Sequence, residues 1–321
     1  MPPARGPLSA SVISALGTAP GTPIRQPVEA EDADPYGDDL QLALYLCYEL
    51  HYQGLVGVDD GWEWDPGLLA VGGALERRFL AALRRDAPQG DLSTALRDVT
   101  VEPVHPEGVS EYLRVKGELW QMREYAAQRS LYHLKEADPH LWVVPRLRGR
   151  AKAAMVAVEY DEFGAGRADR IHARLFAGLM ADLGLETACN RYLGAGSAPS
   201  LAVVNMMSLF GLHRRLRGSL VGHFAAVEIT SSPGSRRLAQ AMERLEAGPA
   251  AEHFYTEHVE ADAVHEQLVR QEVIAGLLQD EPELEEDVAF GITATAFVED
   301  RLSEHLLANW EAGRSSLYAP L

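Results

Sequence analysis

From Leu40 onward the apolar residues recur at helical spacing: Leu40, Leu42, Leu44, Tyr45, Tyr48 and Leu50, then Leu68, Leu75, Phe79 and Leu83. Residues three and four apart share one face of a helix, whereas a half-buried strand alternates at every second residue. Such alternation is absent apart from a brief stretch at about 96–104, which reads as a strand. The pattern predicts an all-α chain with helices over about 38–53, 66–86, 109–136, 148–184, 186–194, 198–229, 233–246, 250–279 and 285–312. Breaks such as Asp138-Pro139 and Ser232-Pro233-Gly234 separate them. Connections this short join antiparallel neighbours. The simplest partition is a flexible segment over 1–35, an N-terminal helical subdomain over 36–105 and a larger helical domain over 106–321.

Acidic residues number 47 against 29 basic ones, a formal charge of −18. That charge repels phosphate backbones and anionic bilayers, so neither nucleic acid nor membrane is expected as a partner. No run approaches the roughly 20 apolar residues of a membrane span. The weakly apolar start is broken by Gly17, Pro20 and Pro23 and is expected to be a lead-in, not a signal peptide. Only two cysteines occur, Cys47 and Cys189, without C-x-x-C spacing. This excludes a disulfide scaffold, a thiolate zinc site and an iron–sulfur cluster, and it fits a cytoplasmic protein. Both thiols have apolar helical neighbours and are expected to be buried and inert.

The chemistry concentrates where an acid precedes a histidine by three residues, at Asp169–His172 and at Asp262–His265. On a helix such a pair presents an oxygen and a nitrogen to one metal ion. His258, Asp262 and His265 lie at i, i+4 and i+7, within a sector of about 60° at 100° per residue. A buried unpaired Asp costs several kcal/mol, so this stripe either faces water or carries a cation. Glu162 lies seven residues before Asp169, and Gly164 and Gly166 intervene. Each glycine costs about 1 kcal/mol in a helix interior and marks a bulge, a close approach or a segment ordered by metal.

Lys135-Glu136-Ala137-Asp138-Pro139-His140, Tyr160-Asp161-Glu162-Phe163-Gly164, Arg170-Ile171-His172 and His258-Val259-Glu260-Ala261-Asp262-Ala263-Val264-His265 together resemble the heme-oxygenase-like diiron oxidases and oxygenases, also called iron-containing redox enzymes. The resemblance spans roughly 109–312 and implies a heme-oxygenase-like helical bundle, here with an N-terminal helical extension. It implies Glu136, Glu162, His172, Asp262 and His265 as metal ligands. His258 is the extra histidine of the third ligand helix, and Asp169 stands where some relatives place an additional carboxylate.

Four carboxylates, Glu136, Glu162, Asp169 and Asp262, balance two ferrous ions with neutral histidines. Mixed carboxylate and imidazole ligation suits iron or manganese better than zinc. The resemblance implies two irons, O2 as co-substrate, an electron donor and a small amine- or amino-acid-derived substrate open to N-oxygenation. The alternatives are oxidative C–C cleavage or desaturation of a carboxylic acid at the same site, or a non-catalytic iron-binding protein. A homodimer is a further expectation.

Other residues carry weaker signals. His133 and His140 are assigned ordinary surface or capping roles, and Tyr132, Tyr160 and Phe163 are assigned to the core. The cluster at His213, Arg214, Arg215 and Arg217 is either a salt-bridged face or a clamp for a substrate carboxylate. Glu228, an acid in an apolar run, is either a paired core carboxylate or a group behind the metal ligands.

Crowded carboxylates oppose assembly of such a site without cations. Backbone amides of the glycine-interrupted segment or of the His258–His265 helix are therefore expected to exchange faster in metal-free protein than in iron-loaded protein. Equal protection in the two forms contradicts this.

Overall fold

The structure, a computed structural model, describes residues 1–24, 32–101 and 107–321, with backbone alone at 260–263. Among the described residues every regular element is helical, as expected of an all-α, heme-oxygenase-like bundle. None of the described helices is long and apolar enough to cross a membrane.

The first helix, α1 (Pro7–Leu16), lies inside the segment expected to be flexible. Pro7 opens it at a position where a missing N–H costs nothing. Leu8, Val12 and Leu16, at i, i+4 and i+8, are buried, and α1 packs against α2 (Asp38–Glu49). Asp39 of α2 accepts from the Leu8 and Ser9 backbone N–H groups at 2.9 and 2.7 Å. Small Ala and Ser residues between those apolar positions hid the helix in the sequence.

Then α3 (Pro66–Asp86) begins at Asp65, whose carboxylate accepts from the Leu68 N–H at 3.0 Å. The stretch expected to be a strand is instead α4 (Leu92–Thr100), started the same way by Asp91 on the Thr94 N–H at 2.8 Å. The rest of that expected strand, 102–104, lies outside the described residues. The single helix expected over 109–136 is two, α5 (Val109–Val115) and α6 (Leu119–His133). They part at Gly117, where a Cβ would stand 2.7 Å from the Leu113 Cα.

Short α7 (Asp138–Leu141) leads to α8 (Gly149–Glu162) and α9 (His172–Asp182). The expected continuous helix over 148–184 is broken at Gly164, Ala165 and Gly166, whose φ values are 71°, 51° and 80°. At Gly164 a Cβ would meet the Arg170 carbonyl carbon at 2.7 Å, so glycine permits both the left-handed turn and the close return of the chain. The helix expected at 186–194 is a series of turns, which leaves Cys189 exposed while Cys47 is buried.

The core is completed by α10 (Ala198–Leu212), α11 (Arg217–Arg244), α12 (Pro249–Leu268), α13 (Ala275–Asp280) and α14 (Glu285–Glu311). A π-helical turn, Val269–Ile274, joins α12 to α13. The expected break at Pro233 does not occur, and α11 runs through it. Burial of Ile229 before it and of Leu238, Ala241 and Met242 after it holds both halves in line and outweighs the lost N–H. Packing of α11 along α12 and α14 forms the centre of the bundle. It crosses α14 where Gly222 and Gly291 meet, so closely that a Cβ on Gly222 would overlap the Val288 carbonyl.

Beneath the loop between α6 and α7, Lys135 is buried and paired with buried Glu49 of α2 at 2.5 Å. The rings of Tyr45 and Tyr52 flank its ammonium at 4.7 and 4.5 Å. Asn190 donates to the other Glu49 oxygen at 3.0 Å. The N-terminal helices thereby fix the residue next to Glu136. Lys135→Met leaves Glu49 buried without its cation and is expected to cost about 3–5 kcal/mol in urea unfolding, most of it recovered in Lys135→Met/Glu49→Leu. Equal stability of the single variant and the parent contradicts this.

Candidate metal centre

Five elements converge on one buried polar region. Glu136 comes from the loop after α6, Glu162 from the last turn of α8, and His172 from the first turn of α9. Glu228 comes from α11, and His258 and His265 from α12. All six are buried. They form two groups, Glu136–His172–His258 and Glu162–Glu228–His265, each able to place its ligand atoms within 4.8 Å of one another.

Glu162 lies between the groups. Its Oε2 is 2.7 Å from His172 Nδ1, and its Oε1 is 3.5 Å from His265 Nδ1. Glu228 Oε2 approaches the same His265 nitrogen at 3.2 Å. In the first group His258 Nε2 faces Glu136 Oε2 at 3.8 Å. The Phe254 carbonyl, 2.7 Å from His258 Nδ1, can only accept, so Nδ1 carries a proton and Nε2 is the nitrogen turned toward Glu136. This is the backing that metal-bound imidazoles receive.

The electrostatics agree with a cation-binding role. Among the described residues Glu136 Oε2 is buried without a hydrogen bond, while His172 Nδ1 faces Glu162 Oε2 at 2.7 Å as an ion pair. Burial works to lower the His172 pKa, but the Glu162 carboxylate outweighs it and holds the pKa above the ordinary value. Burial likewise works to raise Glu136, yet His133 and His258 hold its carboxyl well below the usual range. Glu159, one turn before Glu162, is raised well above that range by burial and then by Glu162 and Glu228. Carboxylates and imidazoles in this mixture suit iron.

Asp169 is not part of this assembly. It sits on the exposed turn between α8 and α9, 3.2 Å from Arg167, with its side chain 72% exposed. Because the helix breaks at Gly164–Gly166, the i,i+3 face that would have joined Asp169 to His172 does not exist. For Asp262, the backbone lies in α12 between His258 and His265, and its side chain is outside the described residues.

The structure also brings in residues read differently from the sequence. Glu228 joins the second group, and its acid in the apolar run Ala225–Ile229 was the signal. His133 is not a surface group: its Nδ1 lies 2.7 Å from Glu136 Oε1 and its ring packs 4.7 Å from Phe176. His140 is buried as well, whereas Tyr160, expected in the core, is exposed and donates to the Ala165 carbonyl at 2.8 Å. Arg217 pairs with Glu281 at 3.3 Å, as a salt-bridged face requires. Eleven residues separate it from Glu228 along α11, about 16 Å at 1.5 Å per residue, too far to clamp a molecule at the metals.

The sequence pattern of the iron-containing redox enzyme family matches residues 123–300, which include every residue of both groups. The chain belongs to this family. No curated protein matches it. As an iron-containing redox enzyme it is an iron-dependent oxidoreductase, and the two Glu/His groups are where its donor atoms gather. Glu162→Gln is expected to lower bound iron per chain at least roughly tenfold, the scale of lost metal-supporting groups. Asp169→Asn is expected to leave iron content unchanged. Elemental analysis of both variants checks this, and the reverse order contradicts it.

Proposed function

We propose that the protein is a non-heme diiron oxygenase that uses O2 to oxidise a small amine- or amino-acid-derived substrate, with N-oxygenation as its reaction. The observation that carries this reading is Glu162, whose two oxygens face imidazoles of two different ligand groups. One carboxylate so placed suits a pair of metal ions better than a single one. Glu136, His172 and His258 would hold one iron, Glu228 and His265 the other, with Glu162 between them. The backbone of Asp262 lies in α12 between His258 and His265.

Charge supports the same count. With Glu228 in place of exposed Asp169, Glu136, Glu162, Glu228 and Asp262 again give four negative charges against the four positive charges of two ferrous ions. Iron bound there would supply the electrons that activate O2. The chain's own residues supply the rest. Phe254 fixes the His258 tautomer, His133 holds one Glu136 oxygen, and Phe176 and Phe254 close an apolar wall beside His133 at 4.7 and 5.4 Å. Such a wall excludes bulk water from the reacting groups. Repeated turnover requires an electron donor.

Anaerobic titration is expected to saturate at two Fe(II) per chain, and subsequent O2 uptake to rise with members of an amine panel but not with the matching carboxylic acids. A single tightly bound ion without O2 uptake contradicts the oxygenase reading and favours an iron-binding protein. Acceleration by the acids alone moves the reaction to carboxylic-acid cleavage or desaturation.

A further inference from the structure

Two buried histidines lie outside both ligand groups. His140, in α7, and His223, in α11, are 2% and 0% exposed, and their rings stand 5.2 Å apart. Phe224 packs 4.9 Å and Tyr132 6.1 Å from the His140 ring. Among the described residues, neither His140 Nε2 nor His223 Nε2 has a hydrogen-bond partner.

The protonation of His223 follows from its neighbours. Thr295 donates its hydroxyl proton to the Gly291 carbonyl at 2.7 Å, so its oxygen can only accept from His223 Nδ1 at 2.9 Å. The proton is therefore on Nδ1, and Nε2 is a bare acceptor. Burial pushes the His223 pKa down to about 3, and burial together with His223 pushes His140 down to about 3, so both rings are neutral. A buried acceptor left without a donor keeps its full desolvation cost. The two nitrogens fall in neither group able to hold a metal ion among the described residues. What answers the bare His223 nitrogen is an N–H or O–H donor. A carboxylate cannot, because it only accepts.

The pair adjoins the metal centre. His140 follows Glu136 by four residues, and Glu162 and Glu136 both act electrostatically on it. We propose that His140 and His223 form the subsite that receives the N–H donor end of an organic amine, and so select amines over carboxylic acids. This rests on the amine-oxidation reading above and sharpens its substrate class. His223 is a specificity residue here, not a metal ligand.

The test is calorimetry on iron-loaded full-length protein without oxygen, using n-butylamine and n-butyrate as probes. The parent is expected to bind the amine and not the acid, and His223→Phe to weaken the amine at least tenfold with iron content unchanged. Thr295→Val removes the acceptor that fixes the tautomer and is expected to weaken the amine in the same direction, which covers misfolding of His223→Phe. Equal amine binding in parent and variants, binding of butyrate as tight as that of butylamine, or no amine binding, as when water alone fills the site, each overturns the proposal. Iron stoichiometry and O2 uptake are read separately. Amine selectivity lost by His223→Phe without O2 chemistry keeps the subsite and removes the oxygenase. Chemistry without selectivity does the reverse.

Discussion

The carboxylate of Glu162 lies between two imidazoles, 2.7 Å from His172 and 3.5 Å from His265, with Glu228 and Glu136 buried nearby. Three buried acids in one region are costly unless cations or protons neutralise them. Hydrogen bonds answer part of that cost, at His133 for Glu136 and at His265 for Glu228. They leave Glu136 Oε2 without a hydrogen bond among the described residues. Iron, which the family is known to contain, would supply positive charge where these groups converge.

The scaffold serves that convergence at places where the chain is least regular. The left-handed turn at Gly164–Gly166 ends α8 at Glu162 and returns the chain so that α9 begins at His172. Without it, a continuous helix would carry Glu162 and His172 about 15 Å apart along one axis. The Gly222–Gly291 contact draws α11 against α14 and sets the depth at which Glu228 and His223 stand. On the far side, the Lys135–Glu49 pair ties the Glu136 loop to α2, so the N-terminal helices reach the centre through one buried ion pair. The π turn after His265 is the sort of helical irregularity found beside functional sites.

Much of this was legible in the sequence, for identifiable reasons. The stripe His258–Asp262–His265 needs only helical periodicity, and α12 supplies it. The family resemblance implied Glu136, Glu162 and His172, and the structure brings them into one buried region without the continuous helix assumed over 148–184. Asp169 was misplaced for that same reason, since a face argument fails once two glycines and Ala165 turn the backbone left-handed. Glu228, His133 and His140 were harder to read because their neighbours come from other helices, and pattern within one helix carries no information about those. Pro233 and the strand expected near 96–104 show local preference yielding to packing and to an aspartate cap. In α1, three apolar residues suffice because α2 offers Asp39 to its open N-terminus.

The central claim is that one carboxylate, Glu162, joins two iron sites. Mössbauer spectroscopy of protein loaded with isotopically enriched iron and then exposed to oxygen tests it most directly. The account predicts that nearly all the iron appears as an exchange-coupled ferric pair, silent in electron paramagnetic resonance, and that Glu162→Gln abolishes this signal. Iron present as isolated high-spin ferric ions in the parent protein would contradict it.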